Sequence, residues 1–211
     1  ELPPVALKIA WGADKLNHIA DPNFSLVPED YPNHEAYIVA LRKFLTNYVA
    51  FVAVIEGIFF YCSFVQVMAL ARIGKMRKFA EQIQYIMRDE TMHVRMGMKI
   101  IRDIIRDNPD VWNEDFANEA RTLVLEGLFV EMAFADYTIG DGILGLTRES
   151  MFQYLQCIAD SRLSSLGLGK VFNVSDPFPW MDEAIHITKE KNFFETRVTE
   201  YQVGGALTWD D

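Results

Sequence analysis

The feature that most constrains the fold is a run of 28 residues, FLTNYVAFVAVIEGIFFYCSFVQVMALA at 44–71, in which Glu56 is the only charged residue. A helix that is apolar on every side lies in the centre of a protein rather than on its surface. Glu56 divides the run into segments shorter than the roughly 20 residues that a membrane-spanning helix needs. The run therefore predicts a central helix of a helical core. The carboxylate in its middle needs a partner, because charged groups are rarely buried alone.

The rest of the sequence has the periodicity of long helices separated by short breaks. We expect helices over about 4–18, 35–73, 76–107, 113–139 and 148–166, and a short one over 180–188. Their ends are marked by Gly74, Asn108-Pro109, the GDGILG turn at 140–145 and Gly167. No strand pair or internal repeat is evident. The pattern predicts an all-α bundle of long helices with short connections.

Composition narrows the possible partners and location. The formal net charge is −10, which disfavours binding to nucleic acid or to anionic membranes. Cys62 and Cys157 lie in apolar helical stretches without a C-x-x-C spacing, so they are expected to be buried thiols in a reducing compartment. No signal peptide is evident. These features predict a cytoplasmic protein.

A second carboxylate and an imidazole occur together in the stretch QIQYIMRDETMHVRMGMKII at 82–101. Glu90 and His93 are one helical turn apart and share a face. Glu56 lies about as far before the turn at 74–75 as Glu90 lies after it, so the two reach similar heights in antiparallel helices. Carboxylates and imidazole are ligands of metal ions, and di-metal bundles combine a Glu from one helix with a Glu-x-x-His from another. The methionines of this helix are expected to pack in the core: Met87, Met92, Met96 and Met98.

The residues alone leave other interpretations open. A Glu-x-x-His pair is also common on the solvated face of a helix. A second such pair, Glu183 and His186 in WMDEAIHI, could complete a self-contained di-metal oxidase together with Glu126 or Glu131. That pair follows DPFPW in a short segment with polar flanks, which favours a surface location instead. A metal-free helical protein is the third possibility.

Four stretches together resemble the small, radical-generating subunit of class I ribonucleotide reductase: VIEGIFFYCSF, QIQYIMRDETMH, SDPFPW and EKNFFETRVTEYQVGG. The wording EGIFFY, RDETMH and NFFETRVTEYQ is most similar to the chlamydial-type subgroup, which is known for a manganese/iron rather than a di-iron centre. The resemblance implies a ferritin-like helical bundle with a dinuclear Fe/Fe or Mn/Fe centre. It also implies a homodimer that works with a large subunit to reduce ribonucleoside diphosphates to deoxyribonucleotides.

Roles follow from the resemblance for three sets of residues in this chain. The ligands of the second metal would be Glu56, Glu90 and His93. The apolar wall around the radical site would be Phe60, Phe64 and Ile86. The groups associated with radical transfer would be Asp89, Glu195 and the tail tyrosine Tyr201.

The chain departs from the family pattern at its beginning. The family places its first-metal ligands and its radical residue ahead of the region that this chain resembles. We therefore expect residues 1–190 to form the C-terminal part of a ferritin-like domain and residues 191–211 to form a tail that docks on the large subunit. A separate polypeptide could supply the N-terminal half. Without a cation, one of the two paired carboxylates, Glu56 or Glu90, should have a raised pKa.

Overall fold

A computed structural model describes residues 2–17 and 21–182, and within these ranges the fold is all-α, as predicted. Short 3₁₀ turns lie at Pro28–Asp30 and Pro109–Val111. Strand-like pairing in the described ranges is limited to an isolated bridge between Ile143 and Leu146 in the turn after the fifth helix. Within the described residues, the helices with both ends defined are α1 (Pro3–Lys15), α2 (His34–Val49), α3 (Tyr61–Arg72), α4 (Arg77–Asp107), α5 (Glu114–Ile139) and α6 (Arg148–Ser165).

The expected single helix over 35–73 is wrong in one respect, because it is interrupted in its middle. After α2, Ala50–Ile55 form a π-helical segment, and residues 56–60 form a turn before α3 begins. The N–H of Glu56 donates to the carbonyl of Phe51, five residues back, at 3.0 Å. Such π segments are frequent at functional sites, because the extra residue redirects the side chains that follow. Glu56 is the first residue after this irregularity.

The π segment is enclosed by two helices that approach it closely. A β-carbon on Gly97 of α4 would lie 2.5 Å from Val52, and one on Gly127 of α5 would lie 2.1 Å from Val54. Both valines are buried. Glycine at these two positions therefore lets α4 and α5 pack directly against the segment that leads to Glu56.

Helix ends are fixed by side chains that accept backbone hydrogen bonds. Asn33 accepts from the N–H of Ala36 and Asn113 accepts from the N–H of Phe116, each at 2.9 Å. Thr147 forms a reciprocal capping box with Ser150 at the start of α6. These caps satisfy backbone donors that a helix leaves unpaired at its beginning. They explain why α2, α5 and α6 begin where they do.

Several apolar side chains of α4 are exposed among its charged residues. Met87 and Met98 are buried as expected, but the expectation is wrong for Met92 and Met96, each of which is 65% exposed. The same helix carries further exposed apolar side chains, Phe79, Tyr85 and Ile86. A helix with its 3.6-residue period can turn only part of its surface toward one core. Here α4 has apolar residues among both its buried and its exposed positions.

Among the residues that the structure describes, one helical stretch, His34–Ile55, is long and apolar enough to cross a membrane. Half of its apolar window is buried inside the fold. Core helices of soluble proteins pass the same test, so this stretch is weak evidence for a membrane span.

Candidate metal centre

The structure brings the three predicted ligands together. His93 Nδ1 lies 3.2 Å from Glu56 Oε2 and 3.1 Å from Glu90 Oε2. One potential ligand atom from each residue falls within 4.8 Å of the other two. Two carboxylates and an imidazole at this spacing match the donor set of a divalent metal site. Their geometric convergence agrees with the prediction, whereas their role as ligands stays a prediction.

The surrounding elements explain the convergence. Glu90 and His93 project from the same side of α4, one turn apart. Glu56 reaches them from the start of the turn at 56–60, on the segment that runs antiparallel to α4 through the break at Gly74. The side chains of Glu56 and Glu90 are 16% and 14% exposed, whereas the His93 side chain is 59% exposed. The site is therefore buried on the side of the two glutamates and open on the side of His93.

The pKa values of Glu56 and His93 are shifted because the three ionisable groups lie close together. Burial and, next, the neighbouring Glu90 carboxyl raise the pKa of Glu56 to about 7. Hydrogen bonds in which the His93 imidazole donates to Glu90 and Glu56 raise its pKa above the usual value. The expectation that one of the two carboxylates has a raised pKa is met by Glu56. A divalent cation among the three groups would relieve the same repulsion, so the donor set fits a metal.

The three predicted wall residues do not share one environment. Phe64 is buried, and its ring centroid lies 6.0 Å from that of Phe60. Phe60 and Ile86 are 38% and 43% exposed. Asp89 is exposed on α4, adjacent to Glu90 in sequence but outside the ligand cluster. Phe60, Ile86 and His93 thus lie on open surface, not inside a closed cavity.

Several sequence predictions fall outside the described residues. They concern Glu183, His186, Glu195 and Tyr201, so the geometry neither supports nor contradicts their predicted roles. Of the two α5 glutamates considered as ligands, Glu126 lies near Trp11 and Lys15, and Glu131 pairs with Lys8. Neither belongs to the cluster of Glu56, Glu90 and His93.

Sequence reasoning missed two charged residues that contact the backbone near Glu56, Lys8 and Arg162, and it considered Glu131 only as a metal ligand. Lys8 Nζ donates to the carbonyl of Phe59 at 2.7 Å and forms an ion pair with Glu131. Glu131 Oε1 accepts from the N–H of Cys62 at 3.2 Å. Arg162 Nε donates to the carbonyl of Gly57 at 3.0 Å. The available signal was weak: Lys8 and Glu131 are charged residues among apolar neighbours, and the polar surroundings of Arg162 gave no such indication.

The family model for the small chain of ribonucleotide reductase matches residues 6–179. This protein is a member of the ribonucleotide reductase small-chain family. The ribonucleoside-diphosphate reductase subunit beta of Chlamydia pneumoniae is 40% identical over 191 residues, which are 90% of this chain and 53% of that protein. A ribonucleoside-diphosphate reductase small chain of Arabidopsis thaliana is 36% identical, over 82% of this chain and 49% of its own length. Membership of the family and the resemblance to the chlamydial relative are thereby confirmed.

Solved structures agree on the fold. The ribonucleotide reductase R2 subunit from Clostridium botulinum superimposes with a TM-score of 0.69 at 24% identity, over 88% of this chain and 54% of that one. This likeness supports the predicted ferritin-like helical bundle. The chain spans about half the length of the curated relatives that it matches. Membership of the small-chain family implies a dinuclear metal centre and does not favour a self-contained oxidase or a metal-free helical protein.

Proposed function

We propose that this chain supplies the C-terminal part of a ribonucleotide reductase small subunit, with Glu56, Glu90 and His93 as ligands of one metal of a dinuclear centre. The single observation that supports this most is their convergence, with one ligand atom from each within 4.8 Å of the others. Three protein ligands are half of the set that a di-metal carboxylate bundle uses. The remaining ligands would come from outside residues 1–211.

The exposed apolar side chains of α4 support a second helical part that completes the site. Ile86 lies one helical turn before Glu90 and Phe60 four residues after Glu56, and both are exposed, as are Met92 and Met96 of α4. Exposed apolar patches of this kind are typical of interaction surfaces. An N-terminal half that packs here, whether on the same polypeptide or on a separate one, would bury the patch and close the site.

The residues of this chain have distinct tasks in that site. With Glu56, Glu90 and His93 among its ligands, a dinuclear Fe/Fe or Mn/Fe centre would supply the oxygen-dependent redox chemistry that the reductase needs. Glu56 and Glu90 supply anionic oxygens and His93 a neutral nitrogen, a mixture suited to manganese or iron. Phe60, Phe64 and Ile86 exclude water and oxidisable groups once the surface is covered. Exclusion of water also strengthens each charge interaction in the site.

Radical transfer to the large subunit is assigned to Asp89, Glu195 and Tyr201. Residues 191–211 form the docking tail, and residues 1–190 form the ferritin-like part. Similarity to the subunits named above supports this division, together with a homodimeric state and a cytoplasmic location. The substrate would be a ribonucleoside diphosphate held by the large subunit, in line with the names of the relatives.

A reconstitution experiment tests this function. The chain would be combined with the N-terminal half of the Chlamydia pneumoniae subunit and with the large subunit from that organism. We expect two metals per pair of halves, an oxygen-dependent radical signal in electron paramagnetic resonance, and deoxyribonucleotide formation. Glu90→Gln should abolish all three without preventing association of the halves. Assembly of the halves with no second metal and no turnover would contradict the proposal.

A further inference from the structure

The turn at 56–60 leaves backbone carbonyls without their helical partners. In a regular α-helix the N–H of Tyr61 would bond to the carbonyl of Gly57, four residues back. Here it donates to the carbonyl of Ile58 at 3.0 Å. Buried carbonyls need another donor, because an unsatisfied buried polar group is costly. Arg162 from α6 supplies that donor to Gly57, and Lys8 from α1 donates to Phe59.

Both donors are held in place by buried partners. Glu131 of α5 is fully buried, and its Oε2 has no donor among the described residues other than the Lys8 ammonium. The Lys8 ammonium also lies 3.9 Å from the centroid of the Phe134 ring. Arg162 is 9% exposed and donates from Nη2 to the hydroxyl of Tyr61 at 2.8 Å. The two cations therefore approach the turn from different helices and have little freedom to move.

Glycine at position 57 makes one of these approaches possible. A β-carbon there would lie 2.9 Å from Arg162 Nε and 2.4 Å from the carbonyl oxygen of Ala53. At the start of α3, the N–H of Cys62 donates to Glu131 of α5. The backbone from Gly57 to Cys62 is thus tied at three points, and Glu56 is the residue immediately before the first.

We propose that Lys8, Glu131 and Arg162 are positioning residues of the metal centre, which hold the turn at 56–60 so that the carboxylate of Glu56 meets Glu90 and His93. This inference rests on the proposed function of the cluster. None of the three touches a ligand side chain; each acts through the backbone that carries Glu56. Residues that orient ligands from outside the coordination sphere affect metal affinity about 10- to 100-fold when substituted.

Two variants separate positioning from simple stabilisation. Lys8→Met removes the donor to Phe59 and leaves Glu131 buried without its counter-charge, which lowers stability. The double variant Lys8→Met/Glu131→Gln removes that unpaired charge, so stability should largely return. The carbonyl of Phe59 still lacks its donor in the double variant. Positioning predicts that metal affinity stays weak in both variants, whereas a purely structural role predicts that affinity recovers with stability.

The experiment is a titration of the 211-residue chain with Co²⁺. Binding is measured by calorimetry and by the visible absorption of the bound ion. A matched control is Phe116→Ala, which removes a buried side chain from the first turn of α5, ~22 Å along the helix from Glu131. We expect the dissociation constant to rise about tenfold or more in both Lys8 variants. It should be unchanged in the control. Amide hydrogen exchange over residues 57–62 should accelerate in the Lys8 variants alone.

Any one of three results would overturn the proposed positioning role. An unchanged Co²⁺ dissociation constant in folded Lys8→Met protein would overturn the inference and leave the metal site intact. Recovery of affinity in the double variant would do the same and assign Lys8 a structural role. A wild-type protein that binds no Co²⁺ would overturn the proposed metal site, and the positioning role with it.

Discussion

The close approach of α5 to the π segment predicts an unusual effect of a small substitution. In Gly127→Ala, the new β-carbon would lie 2.1 Å from Val54 Cγ1, whereas ordinary contact begins at 3.4 Å. The two atoms must separate by more than 1 Å inside a core where Val54 is fully buried. Overpacking of this kind costs about 1–3 kcal/mol. Alanine gains about 1 kcal/mol over glycine in a helix. Because Val54 is fully buried, we expect an overpacking cost of about 3 kcal/mol. After the gain of about 1 kcal/mol from alanine, the free energy of unfolding should fall by about 2 kcal/mol.

A matched substitution in α1 checks the reasoning. A β-carbon on Gly12 would meet only Ile55 Cδ1, at an ordinary 3.6 Å, so Gly12→Ala should stabilise the fold by about 0.5–1 kcal/mol. Urea unfolding followed by circular dichroism measures both changes. Adding Val54→Ala to Gly127→Ala should make the two substitutions less costly together than the sum of each alone. Stabilisation by Gly127→Ala similar to that by Gly12→Ala would refute the close approach of α5 to the π segment.

Three further predictions concern the ionisable residues Asp160, Glu56 and His186. Although burial opposes ionisation, backbone N–H groups of Val171, Phe172 and Asn173 hold the pKa of Asp160 below its usual value. Asp160→Asn should therefore cost about 1–3 kcal/mol at pH 7. That difference should disappear in urea titrations as the pH falls through the lowered pKa, because a depressed carboxyl stabilises only while ionised. Because the pKa of Glu56 is raised to about 7, Co²⁺ affinity measured by calorimetry should increase as the pH rises through 7 and the proton is released; a pH-independent affinity would contradict this. His186→Ala should leave metal content unchanged when metal is counted by mass spectrometry, and a loss of metal would restore the self-contained oxidase.

Much of the helical architecture could be predicted from sequence because its boundaries are local. Pro109 and the glycines after α3 and α5 end helices through their own backbone properties, and Asn113 and Thr147 cap the helices that follow. The convergence of Glu56 with Glu90 and His93 could be expected as well, because counting from a tight turn gives the relative height of residues in antiparallel helices.

The remaining features depend on packing between distant parts of the sequence. The π segment has the same apolar composition as a regular helix, and only the close contacts of Val52 and Val54 with two other helices reveal why it is accommodated. The pairing of Lys8 with Glu131 joins residues more than a hundred positions apart. Apolar residues are usually buried, which predicts a core position for Met92 and Met96. Which side of α4 packs against other helices depends on contacts between distant residues, which the residue types alone do not reveal.

The most direct test of the central claim is to count the metal bound by the purified 211-residue protein. Manganese or iron would be added anaerobically, free metal removed, and bound metal counted for the wild type and for Glu56→Gln, Glu90→Gln and His93→Ala. Because the chain supplies three ligands, half of a dinuclear site, we expect at most one weakly bound metal per molecule. Each of the three variants should lose that metal. Two metals bound at full occupancy, or metal retained in all three variants, would contradict the claim that these residues form half of a dinuclear centre.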